Sequence, residues 1–117
     1  MSIQRRESAG IVVLDVAGEY FGGLETHALE QTLGDEIAAG NVLLLLDLSS
    51  CRAMNSTALG ILIEAHRACE AQGGVIKVCG ARGRMKALLR VLHVERLFEQ
   101  YETPAEALAS FVQRASA

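Results

Sequence analysis

Apolar and polar positions alternate between two periods along this chain. Residues 11–17 (IVVLDVA) are β-branched and apolar apart from Asp15 and stop at Gly18, which predicts a strand, with Ile3 to Arg5 as a weaker partner strand ahead of it. Residues 18–23 (GEYFGG) read as a loop. From Glu25 to Ala39 the apolar positions Leu29, Leu33 and Ile37 recur at every fourth residue, placing one stripe on a first helix that ends at Gly40. Residues 42–48 (VLLLLDL) are a continuous apolar run, the pattern of a strand buried on both faces and central in its sheet.

After a turn over Ser49–Asn55, a second helix is predicted from about Thr57 to Gln72, closed by the pair Gly73-Gly74. Val75 to Cys79 makes the next strand. Met85, Leu88, Leu89 and Leu92 then repeat at three and four residues, so 82–92 is a third amphipathic helix with Arg82, Arg84, Lys86 and Arg90 facing water. A short strand from Leu97 to Tyr101 follows. Thr103-Pro104-Ala105-Glu106 is a capping box with proline at the first helical position, opening a last helix that turns Leu108, Phe111 and Val112 inward. Strands alternating with helices predict an α/β fold: one domain over residues 1–117, with a mostly parallel sheet of about five strands and about four helices.

Composition narrows the function. A 50% apolar chain of 117 residues can bury a core without disulfides or structural metals. Fourteen acidic against eleven basic residues give a charge of −3, which argues against direct nucleic-acid binding. MSIQRRESAG lacks a secretory apolar segment, and Val42 to Leu46 is too short to span a bilayer, so a cytoplasmic protein without membrane insertion is expected. Cys51, Cys69 and Cys79 form an odd set without C-x-x-C spacing, which fits reduced thiols; Cys51, beside Arg52 in a loop, is the one with an electropositive neighbour.

Common signatures for dinucleotides, nucleoside triphosphates, acyl transfer and zinc are missing, so no catalytic residue, metal ligand or cofactor is assigned. His27, His66 and His93 stand apart from any second ligand one turn away and receive no role. The basic stripe of the third helix reads as a solvated face, because no aromatic residues interleave with it. The Gly80–Gly83 loop reads as a chain turn, with a small-molecule or nucleotide sensor as the sharper alternative.

The segment from Asp47 to Ile63 (DLSSCRAMNSTALGILI) carries more information. Asn55-Ser56-Thr57 arrives where the second helix begins, and any of the three side chains can cap the unsatisfied N–H groups of a first turn. A helix N-terminus also stabilises an anion, including a phosphate on Ser56 or Thr57. In the helix that follows, Ala58, Leu62, Ala65 and Cys69 form the core stripe, while Leu59, Ile61 and Ile63 widen the apolar region, either as a docking surface or as a more deeply buried end.

At these residues the chain resembles the STAS domain family, the anti-sigma factor antagonists and their relatives. The resemblance runs through IVVLDVAGE, VLLLLDLSSCRAMNSTALGILIEA, VIKVCG and ALLRVLHVERLFEQYETPAEAL. In that family an Asp-Ser-Ser-Gly-Leu-Gly motif opens the helix, and its second hydroxyl is phosphorylated by a partner kinase of the anti-sigma type. Here the motif is Asn55-Ser56-Thr57-Ala58-Leu59-Gly60, which implies Thr57 as phosphoacceptor, Ser56 as neighbouring cap, and a partner surface over Asn55, Ser56, Thr57, Ala58, Leu59, Ile61 and Ile63. Asn55 stands for the usual acid, Ala58 for a glycine, and Phe21 where the first loop often has Asp. The resemblance implies a non-enzymatic regulator that captures an anti-sigma factor kinase, which would carry Mg-ATP, with a phosphatase and a weak homodimer as further partners. The alternative in the same family is a constitutive STAS subunit of a lipid-transport ABC complex.

Overall fold

The computed structural model describes residues 3–91 and 97–116, with side chains through Phe111. In chain order the elements are β1 (Ile3–Ser8), β2 (Ile11–Val16), β3 (Gly18–Tyr20), α1 (Gly23–Ala38), β4 (Leu43–Asp47), β5 (Cys51–Met54), α2 (Ser56–Ala71), β6 (Val75–Cys79), α3 (Gly83–Val91), β7 (Glu99–Tyr101) and α4 (Pro104–Ser116). Leu92 and His93 lie outside the described residues, as does the side chain of Val112.

The main sheet has five strands in the order β1-β2-β4-β6-β7. β1 and β2 form an antiparallel hairpin whose two turn residues, Ala9 and Gly10, both have positive φ, the backbone twist that a tight hairpin needs. The other pairings in this sheet are parallel, with Leu14 opposite Leu46 and Leu46 opposite Val78. The expected α/β fold with a mostly parallel sheet is therefore present, and the continuous apolar run is its central strand.

Side-chain alternation sends the two faces of the sheet into separate cores. Val12, Leu14, Leu44, Leu46, Ile76 and Val78 meet the buried faces of α1, α2 and α3. Ile11, Val13, Leu45, Val75 and Cys79 meet Ala107 and Phe111 of α4. Each fully buried aliphatic side chain here contributes about 1.5–3 kcal/mol of burial free energy. Met85 and Leu89 are buried and Leu88 partly so, and the cations of the third helix face water as predicted. Thr103 Oγ1 accepts from the Glu106 N–H at 3.2 Å, confirming the cap of α4. The Glu106 carboxylate accepts from the Thr103 hydroxyl at 3.1 Å rather than from its backbone.

Two segments differ from expectation. Residues 18–20 within the expected loop and 51–54 within the expected turn are strands, β3 and β5, paired in parallel in a separate two-stranded sheet. They pair only with each other, with an irregularity between Gly18 and Glu19, so neither is long enough to show a period of two. At the other end of α2, Gly74 N donates to Cys69 O at 2.8 Å, and a side chain there would collide with the Val42 carbonyl, so glycine is required by close approach.

Lys77 is 1% exposed on the α4 face of β6. Its ammonium donates to Ser110 Oγ at 2.8 Å, lies 3.3 Å from Glu99 Oε1, and sits 4.8 Å from the Phe111 ring centroid and 5.6 Å from that of Tyr101. Charge, hydrogen bond and ring quadrupoles together offset its desolvation and tie α4 to the sheet. On the opposite edge, Glu36 near the end of α1 accepts from the Arg5 guanidinium and, at 2.9 Å, from the Asn41 amide. The Arg5 hydrogen bond pulls the Glu36 carboxyl below its ordinary value of 4.5; burial opposes this and Asn41 adds to it.

Lys77→Ala is expected to lower unfolding free energy by about 2–4 kcal/mol in urea titrations, through the lost cation–ring and charged hydrogen bonds. Lys77→Met, which refills the space without a charge to desolvate, should cost clearly less. Because the folded Glu36 carboxyl is depressed, its contribution is complete above the ordinary value of 4.5 and is lost as pH falls through the folded value. Glu36→Gln should thus flatten the acid limb of the stability profile, read as urea midpoints across that range.

Candidate partner-docking site

The small β3–β5 sheet brings two helix N-termini side by side. Tyr20 is fully buried, its hydroxyl donates to Ala17 O at 2.7 Å, and its carbonyl accepts from Asn55 N at 2.9 Å. The chain leaving β3 enters α1 within three residues, and the chain leaving β5 enters α2 after Asn55 alone. Phe21, one residue beyond Tyr20, therefore lies beside Asn55.

Asn55, not Ser56, caps α2. Its backbone is extended, its Oδ1 accepts from Ala58 N at 3.0 Å, and its carbonyl accepts the first intrahelical bond from Leu59 N at 3.1 Å. Ser56 and Thr57 become the first and second helical residues, whose N–H groups precede that first bond. Both side chains are exposed, and neither hydroxyl has a hydrogen-bond partner among the described residues. The corner holds a helix-end partial positive charge and two unused hydroxyls.

The remaining predicted surface divides. Ala58 and Leu59 are buried among the α1–α3 core, because positions three and four beyond Asn55 fall on the helix face that packs on the sheet. They brace the corner from behind. Ile61 and Ile63 are partly buried at the edge of the core. Ile61, Thr57, Gly60 and Ala65 line a groove of about 710 Å³ whose other wall is Leu33, Gly34 and Ile37 of α1, with the exposed carboxylates of Glu30 and Glu64 at its sides.

Sequence reasoning missed the α1 wall and Leu24. Leu33 and Ile37 were visible as a helix stripe, but which helix they face follows from the topology. Leu24 is 84% exposed and Phe21 55%, two large apolar side chains at the entry to α1, where Gly22 N donates to Thr26 Oγ1 at 2.7 Å. Leu24 falls outside the spacing of Leu29, Leu33 and Ile37, which is the one signal that it lies off the core face.

Other candidates have structural explanations. Cys51 lies in strand β5 rather than in a loop; it is buried, and burial pushes its thiol up to about 11. Burial does the same to Cys69, to about 11, and to Cys79, to about 12. His66 is buried against Phe98, and its Nδ1 accepts from Ile76 N at 3.2 Å. In the Gly80–Gly83 loop, Gly80 has φ 76° and a side chain there would collide with Ser49, so the loop needs its glycine to turn from β6 to α3. Among the described residues no group of three or more His, Cys, Asp or Glu is placed to hold a metal, and no helix is long and apolar enough to cross a membrane.

Comparison with known proteins agrees with this architecture. The STAS domain family profile matches residues 2–107. Among solved structures, an anti-sigma factor antagonist from Mycobacterium paratuberculosis is 27% identical, with 92% of this chain and 91% of that one covered and a TM-score of 0.79. A protein from Thermotoga maritima described as an anti-sigma factor antagonist superimposes with a TM-score of 0.82 at 18% identity, covering 92% of each chain. The Bacillus cell fate determinant SpoIIAA in its phosphorylated form gives 0.73 at 16% identity, over 93% of this chain and 98% of that one. No curated protein matches the sequence. With nearly its whole length matched by the profile and its fold shared with these structures, the chain belongs to the STAS domain family.

Proposed function

We propose that this protein is a partner-switching regulator, which in its unmodified form binds an anti-sigma factor kinase through the Thr57 corner and is released by phosphorylation of Thr57. The observation that carries the reading is the division of labour at the start of α2. Asn55 supplies the cap, so the exposed Thr57 hydroxyl has no structural duty and is available to a kinase. The kinase would transfer the γ-phosphoryl group of its Mg-ATP to Thr57 Oγ1: a new P–O bond forms, the bond to ADP breaks, and the hydroxyl proton passes to a base on the kinase. The product carries about −1.5 to −2 charges at a helix N-terminus, which accommodates them without unfolding, while a partner packed on the same corner meets a new desolvated charge. The likeness to SpoIIAA, whose phosphorylated form has been solved, supports the reading. Asn55, Ser56, Ile61 and Ile63 would complete the contact, with Ala58 and Leu59 behind it. The domain itself would act without catalysis, in the cytoplasm, and a phosphatase would reset it.

A second reading, a constitutive STAS subunit of a lipid-transport ABC complex, draws on Phe21 and Leu24, since permanent contacts favour exposed apolar anchors. Affinity capture from the native lysate with wild type and Thr57→Glu separates the two. A small ATP-binding kinase retained by wild type and weakened roughly tenfold or more, about 1.4 kcal/mol, by Thr57→Glu is the expected result. Mass mapping should place phosphate on Thr57, with Thr57→Ala unmodified. Phosphate elsewhere, or a transporter ATPase retained equally by both chains, would remove the switch.

A further inference from the structure

Charge is segregated between the α1–α2 pair and α3. α1 and α2 carry the exposed acids Glu25, Glu30, Asp35, Glu64 and Glu70 against a single cation, Arg67, since Glu36 is taken by Arg5. α3 contains Arg84, Lys86 and Arg90, preceded by Arg82, and no acid. All four cations are exposed, and none pairs with a carboxylate among the described residues.

The outer face of α3 has a pattern that matches the α1–α2 groove. Arg84, Ala87 and Val91 follow one another at three- and four-residue spacing and so share a line along the helix, with Lys86 and Arg90 on the adjacent line. Ala87 and Val91 are exposed, Val91 at 69%. The face is thus a narrow apolar ridge edged by cations. The groove is its complement: an apolar floor of Leu33, Ile37, Ile61 and Ala65, with carboxylates at Glu30 and Glu64. A Cβ added at Gly34 or Gly60 meets nothing within 4 Å, so the space above these glycines is open. The sixteen-residue walls are about 24 Å long and the nine-residue α3 about 14 Å, so α3 is short enough to lie along the groove.

We infer that copies of this chain associate head to tail, the basic ridge of α3 on one copy seated in the acidic α1–α2 groove of the next. The occupant is a second copy because one sequence carries both complementary halves. The two patches differ, so the contact is heterologous and leaves one free groove and one free ridge at the ends of every open assembly. The inference does not require Thr57 to be phosphorylated.

Sedimentation velocity on the purified, unmodified chain tests it. At low salt the mass should rise with protein concentration, and raising the salt should weaken association roughly tenfold or more as the exposed charges are screened. Arg84→Glu with Arg90→Glu, and separately Glu30→Lys with Glu64→Lys, should each be monomeric with an unchanged circular dichroism spectrum, and mixing the two chains should restore association. Val91→Gln, at an already exposed position, should reproduce the loss without altering charge. A wild-type chain that stays monomeric at every concentration would overturn the inference. So would an assembly that is indifferent to salt and to these substitutions.

Discussion

Leu44 and Leu46 face one helix layer and Leu45 the other, so the middle of β4 has no side left for water. A strand of this kind is stable only between two apolar covers, and that requirement arranges the molecule. Three helices on one face and α4 on the other satisfy it, and parallel neighbours on both edges, β2 and β6, keep its backbone groups paired. The corner at Asn55 is a by-product of the same demand: the chain must climb off the sheet after β4 and start α2 over the core, and the point where it does so becomes an exposed helix N-terminus.

At that corner the bonds that hold the turn and the exposed hydroxyls belong to different residues. Asn55 holds the turn through its side chain, its N–H and its carbonyl, while Ala58 and Leu59 fasten the first turn to the core. Ser56 and Thr57 project between these anchors. A charge placed on Thr57 alters what the surface presents without removing a bond on which the fold relies.

Most of the architecture was legible because it is written in long, strongly apolar segments. The runs around Ile11–Val16, Leu43–Asp47 and Val75–Cys79, the four-residue spacing of Leu29 and Leu33, and the cap at Thr103 each identify an element locally. β3 and β5 were not legible, since three- and four-residue strands that pair only with each other leave no period to read. Three consecutive capping residues cannot be ranked by spacing; the end of β5 at Met54 decides that Asn55 takes the role. The motif around Thr57 was visible as a resemblance, but the groove beside it was not, because its walls are twenty-odd residues apart in sequence and meet only through the crossover. Lys77 was likewise silent: a lone lysine in an apolar strand does not announce that a serine, a glutamate and two rings surround it.

The three buried thiols have a further consequence. Cys51 and Cys69 belong to the core between the sheet and α1–α3 and Cys79 to the core between the sheet and α4, so each of the two cores contains a cysteine. Held protonated and out of solvent, they react only when the layer above them opens. Alkylation rates at Cys69 and Cys79 therefore clock the separate breathing of the two helix layers in the unlabelled native protein, with no reporter group added.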